Sequence, residues 1–499
     1  MLYTGRMRFQ RSGLFTDFYE LTMSQGYHRF GENRHVVFDM FYRRQPFSGG
    51  FAVFAGLDDL IDHIMEFRFS DDEITYLRSV GSFSDDFLSF LREFRFTGDL
   101  YAVPEGSVVF PCEPLIRVHA PLIEAQLIEG LLLNTINFQT LVATKAARVH
   151  LAANHGAVLE FGLRRAQGAD GAMSAARAAF IGGAKATSNT LAGKVYGIPV
   201  KGTMAHSWVM AFDSEEESFE RYAELYPDAT ILLIDTYSTL GSGLDNAIRV
   251  GKTLKARGHR FGVRLDSGDL EYLSKQVRAE LDAAGLEDAT ITVSNELDEQ
   301  IIHHLVTSGS PIDSWGVGTR LVTGGEDSSL TGVYKLAAKG DGRLDPTIKL
   351  SNQPAKTTNP GVKQVYRFFD ASDSPLADLI ALEDEQIVHG EPYTFHHPDL
   401  SASKFEMTRY AKIVPLLRKQ MDRGERCREC ISLPDLQAHC TESLDRFDET
   451  YKRIINPHIY KVSLSDRLAE LKRRMMTEAE NARESGGDGP PGPVITSVR

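Results

Sequence analysis

The chain has 499 residues, 42% of them hydrophobic and 25% charged. Those values suit a globular protein long enough for two or more domains. A formal net charge of -13 argues against nucleic acid as a partner, although small anions need only a few local Arg and Lys residues. With no apolar run of about 18 residues, no signal-peptide core in MLYTGRMRFQRSGLF and only four Cys, we expect a cytoplasmic protein without a membrane span or disulfide framework.

Residues 1–150 mix aromatic-rich strands with helices and read as an N-terminal α/β domain. HVVFDMFYRR is a strand, GGFAVFAGLDDLIDHI a turn, short strand and helix, and SVVF a strand after the VPEG turn. The long apolar stretch from Ala120 to Asn154 reads as a buried helix pair. Across 151–335 strands and helices alternate: AVLEFG, IPVKGTMAH, ATILLID, RFGVRLD, ATITVSNE and DSWGVGTRLV as strands, with helical segments between them. Such βα units predict a parallel sheet, and so many in one run predict an irregular, nearly closed βα barrel. Residues 336–480 return to the first domain as the strands VYKLAAK, TIKLSN and KQVYRFF. They end in the helices DLQAHCTESLDRFDETYKR and SDRLAELKRRMMTEAENAR. The Gly/Pro-rich tail 481–499 reads as disordered.

In a βα barrel the reacting groups lie at the C-terminal ends of the strands. Those positions hold Glu160, Arg164 and Arg165; Thr203, His206 and Ser207; Asp235, Thr236 and Ser238; Arg264, Asp266, Ser267 and Asp269; Ser294, Asn295 and Glu296; and Gly316, Gly318, Thr319 and Arg320. Arg suits bidentate grip of carboxylate and phosphate. Asp235 and Asp266 suit Mg2+ shared with substrate phosphates. The Gly-rich turns RLDSGD and GVGT let backbone amides approach phosphate oxygens. Together they point to phosphoryl or phosphoribosyl chemistry. Each feature alone has a plainer reading: a structural His206, a helix-capping Asp235, solvated Arg164 and Arg165. Cys427, Cys430, His439 and Cys440 do not form two separated ligand pairs; we read three incidental thiols.

Taken together, TDFYELTM, FDMFYRRQPFSGGFAVFAGL, LVATKAAR, LEFGLRRAQGADG, GTMAHS, LLIDTYSTLGSG, VRLDSGD, VSNELD and WGVGTRLVT resemble the nicotinate phosphoribosyltransferase family, in the family's order, from Thr16 to Pro457. The resemblance implies a type II phosphoribosyltransferase: an irregular α/β barrel plus an α/β domain built from N- and C-terminal segments, working as a homodimer with shared active sites. The implied substrates are nicotinate, phosphoribosyl pyrophosphate and ATP, with Mg2+ as cofactor. The implied roles are a phosphohistidine at His206, with Thr203 near nicotinate and Ser207 in the same motif. Tyr19 would stack on the pyridine ring from the neighbouring subunit, and Arg320 would take the carboxylate. Arg264, Asp266, Ser267 and Gly268 would contact ribose and pyrophosphate. Arg164 would lie near the phosphates, with Asn295, Gly316, Gly318, Thr319 and Thr358 as further substrate contacts. Two alternatives share these motifs: a nicotinamide phosphoribosyltransferase, and an inactive nucleotide-sensing homologue.

Overall fold

The computed structural model describes residues 12–484, apart from 155, 352, 354, 355 and 399–402. The expected disordered tail lies almost wholly outside the described residues. The chain divides into two compact units. One comprises 12–140, 329–432 and 442–484; the other comprises 141–328 and 433–441. The helix Glu129–Ala152 runs unbroken across the boundary after Thr140.

The first unit is built on antiparallel pairing. Strand His35–Tyr42, apolar on both faces, pairs with Ile116–Pro121 on one side and Gly332–Lys339 on the other. A segment from late in the chain thus completes a sheet begun by the N-terminal segment. A second sheet pairs Lys363–Phe369 with Pro375–Leu382. The sequence pattern of 336–480 did not single out Pro375–Leu382. Among the described residues of TIKLSN (347–351) there is no strand; Asp345–Pro346, just before it, pairs with Ala338 and Lys339. The helix expected over DLQAHCTESLDRFDETYKR breaks after Asp445, and Asp448 caps the short helix Glu449–Lys452 through the Thr450 amide.

The second unit holds six parallel strands: β1 (Ala157–Glu160), β2 (Ala186–Thr187), β3 (Thr230–Leu233), β4 (Phe261–Leu265), β5 (Thr290–Asn295) and β6 (Ser314–Val317). The helices between them are α1 (Gly168–Ile181), α2 (Thr190–Tyr196), α3 (His206–Met210), α4 (Glu215–Leu225), α5 (Leu244–Ala256), α6 (Leu270–Ala283) and α7 (Glu299–Thr307); α8 (Thr319–Thr323) follows β6. Several helices start where the sequence supplies a cap: Ser214 accepts from Glu217 N, Asp269 from Tyr272 N, and Asp298 from Gln300 N and Ile301 N. These bonds satisfy amides that no helical carbonyl reaches. Ala175, Ala176, Ala178 and Ala179 of α1 are buried, and such small side chains permit close packing.

The strand order is β2-β1-β6-β5-β4-β3. It is cyclic, because β6 pairs with β1. The segment 199–201 lies along the outer edge of β2 through Thr187 N to Pro199 O and Lys201 N to Thr187 O, 3.0 Å each. The remaining gap, between that segment and β3, has no backbone ladder among the described residues. This is the irregular βα barrel that the alternation predicts. DSWGVGTRLV is not strand throughout. The strand stops at Val317; Gly318, at φ -115° and ψ -102°, turns the chain into α8.

Candidate active site

The open seam of the barrel is bridged by side chains. Arg264, on β4, sends Nη1 to Thr203 Oγ1 and, at 3.1 Å, to the Met204 carbonyl; its Nε donates to Ser294 Oγ at 3.0 Å and its Nη2 to Asp266 Oδ1 at 3.2 Å. One guanidinium therefore ties the loop after segment 199–201 to β4 and β5. Four of its five N–H donors are used, leaving one on Nη2. Ser294 also donates to Asp266 Oδ1, so Asp266 is held from two sides.

His206 opens α3 directly after that loop. Its Nδ1 lies 3.1 Å from Thr236 Oγ1, beyond the end of β3. Its Nε2 faces two carboxylates, Asp235 Oδ1 at 3.9 Å and Asp266 Oδ2 at 3.8 Å. The imidazole is 41% exposed, whereas the Asp235 side chain is 1% exposed. Asp235 Oδ2 accepts from Asp266 N at 2.8 Å and Ser267 Oγ at 2.6 Å. Its Oδ1 is buried without a hydrogen-bond partner. Because a buried carboxylate oxygen is costly to leave unmatched, that atom marks a place for a cation or donor. The turn carrying Ser267 depends on Gly268, whose φ of +82° lies in the left-handed region.

These groups open onto a cleft of about 520 Å³ lined by Phe161, Arg164, Arg165, Ser188, Thr203, His206, Arg264, Asp266, Ser294, Asn295, Glu296, Gly316, Gly318 and Thr319. Arg164 and Arg165, on the turn after β1, are exposed. Neither has a protein partner among the described residues. Gly316 is required by crowding, since a Cβ there would sit 2.6 Å from the Phe161 ring. Asn295 adopts φ +108° at the end of β5, a strained conformation of the kind that concentrates at functional sites. Glu160 lies just beneath, buried and bonded to Thr187 Oγ1 and Gly162 N. Burial pushes its carboxyl pKa up, those bonds opposing; it braces the turn. The arrangement offers cationic side chains, two carboxylates, an accessible imidazole and glycine-lined backbone around one cleft.

Family models cover most of the chain. The nicotinate phosphoribosyltransferase N-terminal domain matches residues 14–137, the nicotinate phosphoribosyltransferase family 157–372, and the corresponding C-terminal domain 362–472. A nicotinate phosphoribosyltransferase of Bacillus subtilis is 45% identical over 479 residues, 94% of this chain and 97% of its own. The crystal structure of human nicotinic acid phosphoribosyltransferase superposes with a TM-score of 0.82 at 34% identity, covering 92% of this chain and 99% of that one. The chain belongs to the nicotinate phosphoribosyltransferase family. A nicotinate-nucleotide pyrophosphorylase from Pyrococcus furiosus, at 21% identity and a TM-score of 0.67 over 89% of this chain and 98% of its own, shares the fold.

Within this family member most, but not all, of the sequence-expected site residues gather at the cleft. Arg164, Thr203, His206, Arg264, Asp266, Asn295, Gly316, Gly318 and Thr319 line the cleft, while Asp235 and Ser267 stand behind Asp266. Gly268 shapes the turn and Ser207 is exposed on α3. Arg320 is not among the lining residues; it sits half-buried in α8, and a Cβ on Gly325 would lie 3.4 Å from its Cδ. Tyr19 and Thr358 belong to the other unit. Tyr19 is 47% exposed, and Thr358 is buried with its hydroxyl accepting from Lys349 N at 2.9 Å. Arg165 and Ser294, named above at strand ends, line the cleft although the family resemblance assigned them no role, and Ser188 joins them unforeseen. Ser294 and Arg165 carried a signal in their strand-end positions; Ser188, beyond a two-residue strand, carried none.

Proposed function

We propose that this chain joins nicotinate to the ribose phosphate of phosphoribosyl pyrophosphate, releasing pyrophosphate and forming nicotinate mononucleotide. ATP hydrolysis is coupled to the transfer through a phosphohistidine at His206. The observation that carries this reading is the convergence of His206, Asp235, Asp266 and three arginines on one glycine-lined cleft, together with family membership.

The pyridine nitrogen already bears a lone pair, so the attack on the ribose carbon needs no general base. The barrier lies in departure of pyrophosphate from an oxocarbenium-like ribose. Arg164, Arg165 and the remaining Nη2 donor of Arg264 are placed to meet the negative charge that grows on the leaving group. Asp266, fixed by Arg264 and Ser294, faces the ribose hydroxyls in this reading. Ser267, Gly268, Gly316, Gly318, Thr319 and Asn295 supply the surrounding polar and backbone contacts.

Mg2+ is tested by the donors present. Among the described residues no three His, Cys, Asp or Glu side chains form a cage. Mg2+, however, takes one or two carboxylates and completes its shell with water and substrate phosphates. The unpartnered Asp235 Oδ1 and the Asp266 carboxylate fit that demand. When bound, the ion would neutralise pyrophosphate and nucleotide charge.

Nicotinate differs from nicotinamide by a full negative charge, and a guanidinium grips a carboxylate with two charge-assisted bonds. We assign that grip to Arg320. Two copies of the chain would share their sites, with Tyr19 of one copy stacking on the pyridine bound by the other and Thr358 as a further contact. Mixing Tyr19→Ala chains with His206→Ala chains then restores one intact site per mixed dimer; no recovery after demonstrated subunit exchange counts against sharing.

The deciding experiment replaces His206 by Ala. ATP hydrolysis is lost, while slow ribose-phosphate transfer persists at high substrate because the arginines remain. A variant that hydrolyses ATP at the parent rate overturns the phosphohistidine.

A further inference from the structure

Ser294, near the end of β5, is 4% exposed and lies between two opposite charges. Arg264 Nε donates to its Oγ at 3.0 Å. Its own hydroxyl donates to Asp266 Oδ1, the oxygen that also accepts from Arg264 Nη2 at 3.2 Å. A guanidinium only donates and a carboxylate only accepts, so the direction of the hydroxyl is set by its neighbours. We infer that Ser294 is a positioning residue: it keeps Arg264 and Asp266 from closing on each other, and so leaves Asp266 Oδ2 to the substrate. The inference rests on the transfer reaction proposed above.

Arg367 shows what the hydroxyl prevents. Nε and Nη2 form one edge of a guanidinium, and in Arg367 that edge takes both oxygens of Asp378, at 2.9 and 2.7 Å. Such two-bond pairing is frequent and strong. In the cleft the same edge is divided: Nε goes to Ser294 and Nη2 to Asp266. The attraction between the two charges is only partly screened, because the Arg264 side chain is 11% and the Asp266 side chain 27% exposed. Asp266 is anchored by its own amide, which donates to Asp235 Oδ2 at 2.8 Å, so what remains free is rotation of its carboxylate. By filling Nε and one lone pair of Oδ1, Ser294 blocks that rotation.

The two oxygens of Asp266 are therefore unequal. Oδ1 accepts two bonds from the protein. Oδ2 accepts no hydrogen bond from the described residues and lies 3.8 Å from His206 Nε2, at the cleft. Turned into a two-bond pair, both oxygens would face the guanidinium. The cleft would then lose a free carboxylate oxygen and part of its positive charge at once. A neutral hydroxyl on β5 thus keeps a cation and an anion of β4 and its following turn apart, each with capacity left for substrate.

Ser294→Ala removes the hydroxyl and lets the pair close. With nicotinate saturating, its KM for phosphoribosyl pyrophosphate should rise about tenfold, the scale of one lost hydrogen bond to a charged group. Its thermal midpoint should not fall, because the closed pair replaces the two lost bonds. Ser294→Thr keeps the hydroxyl and should restore the parent KM. Asp266→Asn should lower kcat/KM sharply in the parent and much less in the Ser294→Ala background, where the carboxylate is already withdrawn. An unchanged KM or a lowered midpoint in Ser294→Ala, a Thr variant as impaired as Ala, or equal cost of Asp266→Asn in both backgrounds overturns the role of Ser294 alone. A parent protein that releases no pyrophosphate with nicotinate overturns the proposed transfer and this inference with it.

Discussion

Arg367 of the first unit and the cleft arginines Arg164 and Arg165 of the second are used in opposite ways. In the first unit, Arg367 is 4% exposed, and each of its three guanidinium nitrogens donates to the protein. Its Nε and Nη2 donate to the two oxygens of Asp378 at 2.9 and 2.7 Å, and its Nη1 donates to the Val108 carbonyl at 3.0 Å. The guanidinium also lies 5.5 and 5.3 Å from the ring centroids of Phe110 and Phe447. In the second unit, Arg164 and Arg165 stand exposed at a strand end, and the Asp235 Oδ1 atom is buried without a partner. The first arrangement is complete as it stands; the second is complete only with charged substrate. Paired charge in a packed interior is structure, whereas unmatched charge of both signs around one cleft is a binding site.

Substituting Arg367 breaks that comparison most forcefully. Arg367→Met leaves Asp378, 0% exposed, without its counter-charge, although the Tyr460 hydroxyl still donates to it at 3.0 Å. We expect a loss of about 3–5 kcal/mol in urea unfolding; a loss below about 1 kcal/mol would show that the pair is no structural element. Arg320→Ala should act on specificity instead. Losing a carboxylate grip of about 2–4 kcal/mol lowers kcat/KM for nicotinate by roughly thirty-fold to a thousand-fold, with little change for any nicotinamide turnover. Equal losses for acid and amide would move the assignment to a residue of the cleft lining, and Arg165→Ala is the companion variant. Arg164→Met, at an exposed position, should change unfolding by no more than about 0.5 kcal/mol, yet raise KM for phosphoribosyl pyrophosphate about tenfold. A normal KM would remove Arg164 from the phosphate grip.

A smaller effect separates the buried acids. Glu20, on the helix Phe18–Phe30, is fully buried, with Thr16 donating to one oxygen and the other unpartnered. Burial pushes its pKa from 4.5 up to about 7, the Thr16 bond opposing. The folded protein thus holds a proton on Glu20 that the unfolded chain has released. This contribution to stability is full below pH 4.5 and is lost as pH rises through about 7. The decline in unfolding free energy from pH 5 to pH 8 should therefore be shallower in Glu20→Gln than in the parent. Parallel declines would show that Glu20 does not hold its proton.

Much of the second unit was legible because each signal was local. The alternation of apolar strands with capped helices gave β1 and β3 to β6, and the strand ends gave Arg164, His206, Asp266 and Asn295. Features set by other parts of the chain were not. β2 is two residues long and is held by neighbours on both sides, so no periodicity announces it. Pro375–Leu382 becomes a strand by pairing with Lys363–Phe369. Side-chain partners were equally hidden: RLDSGD names Arg264 as an anion contact, but only the fold shows it spending four donors on the protein itself.

The most direct test of the account is base-dependent pyrophosphate release from phosphoribosyl pyrophosphate in the presence of ATP, measured in parallel with nicotinate, nicotinamide and quinolinate. Release should require nicotinate, with the amide at least thirty-fold less efficient, as expected for a buried carboxylate grip, and quinolinate inactive. Equal release with nicotinamide, or none with any of the three bases, would contradict it.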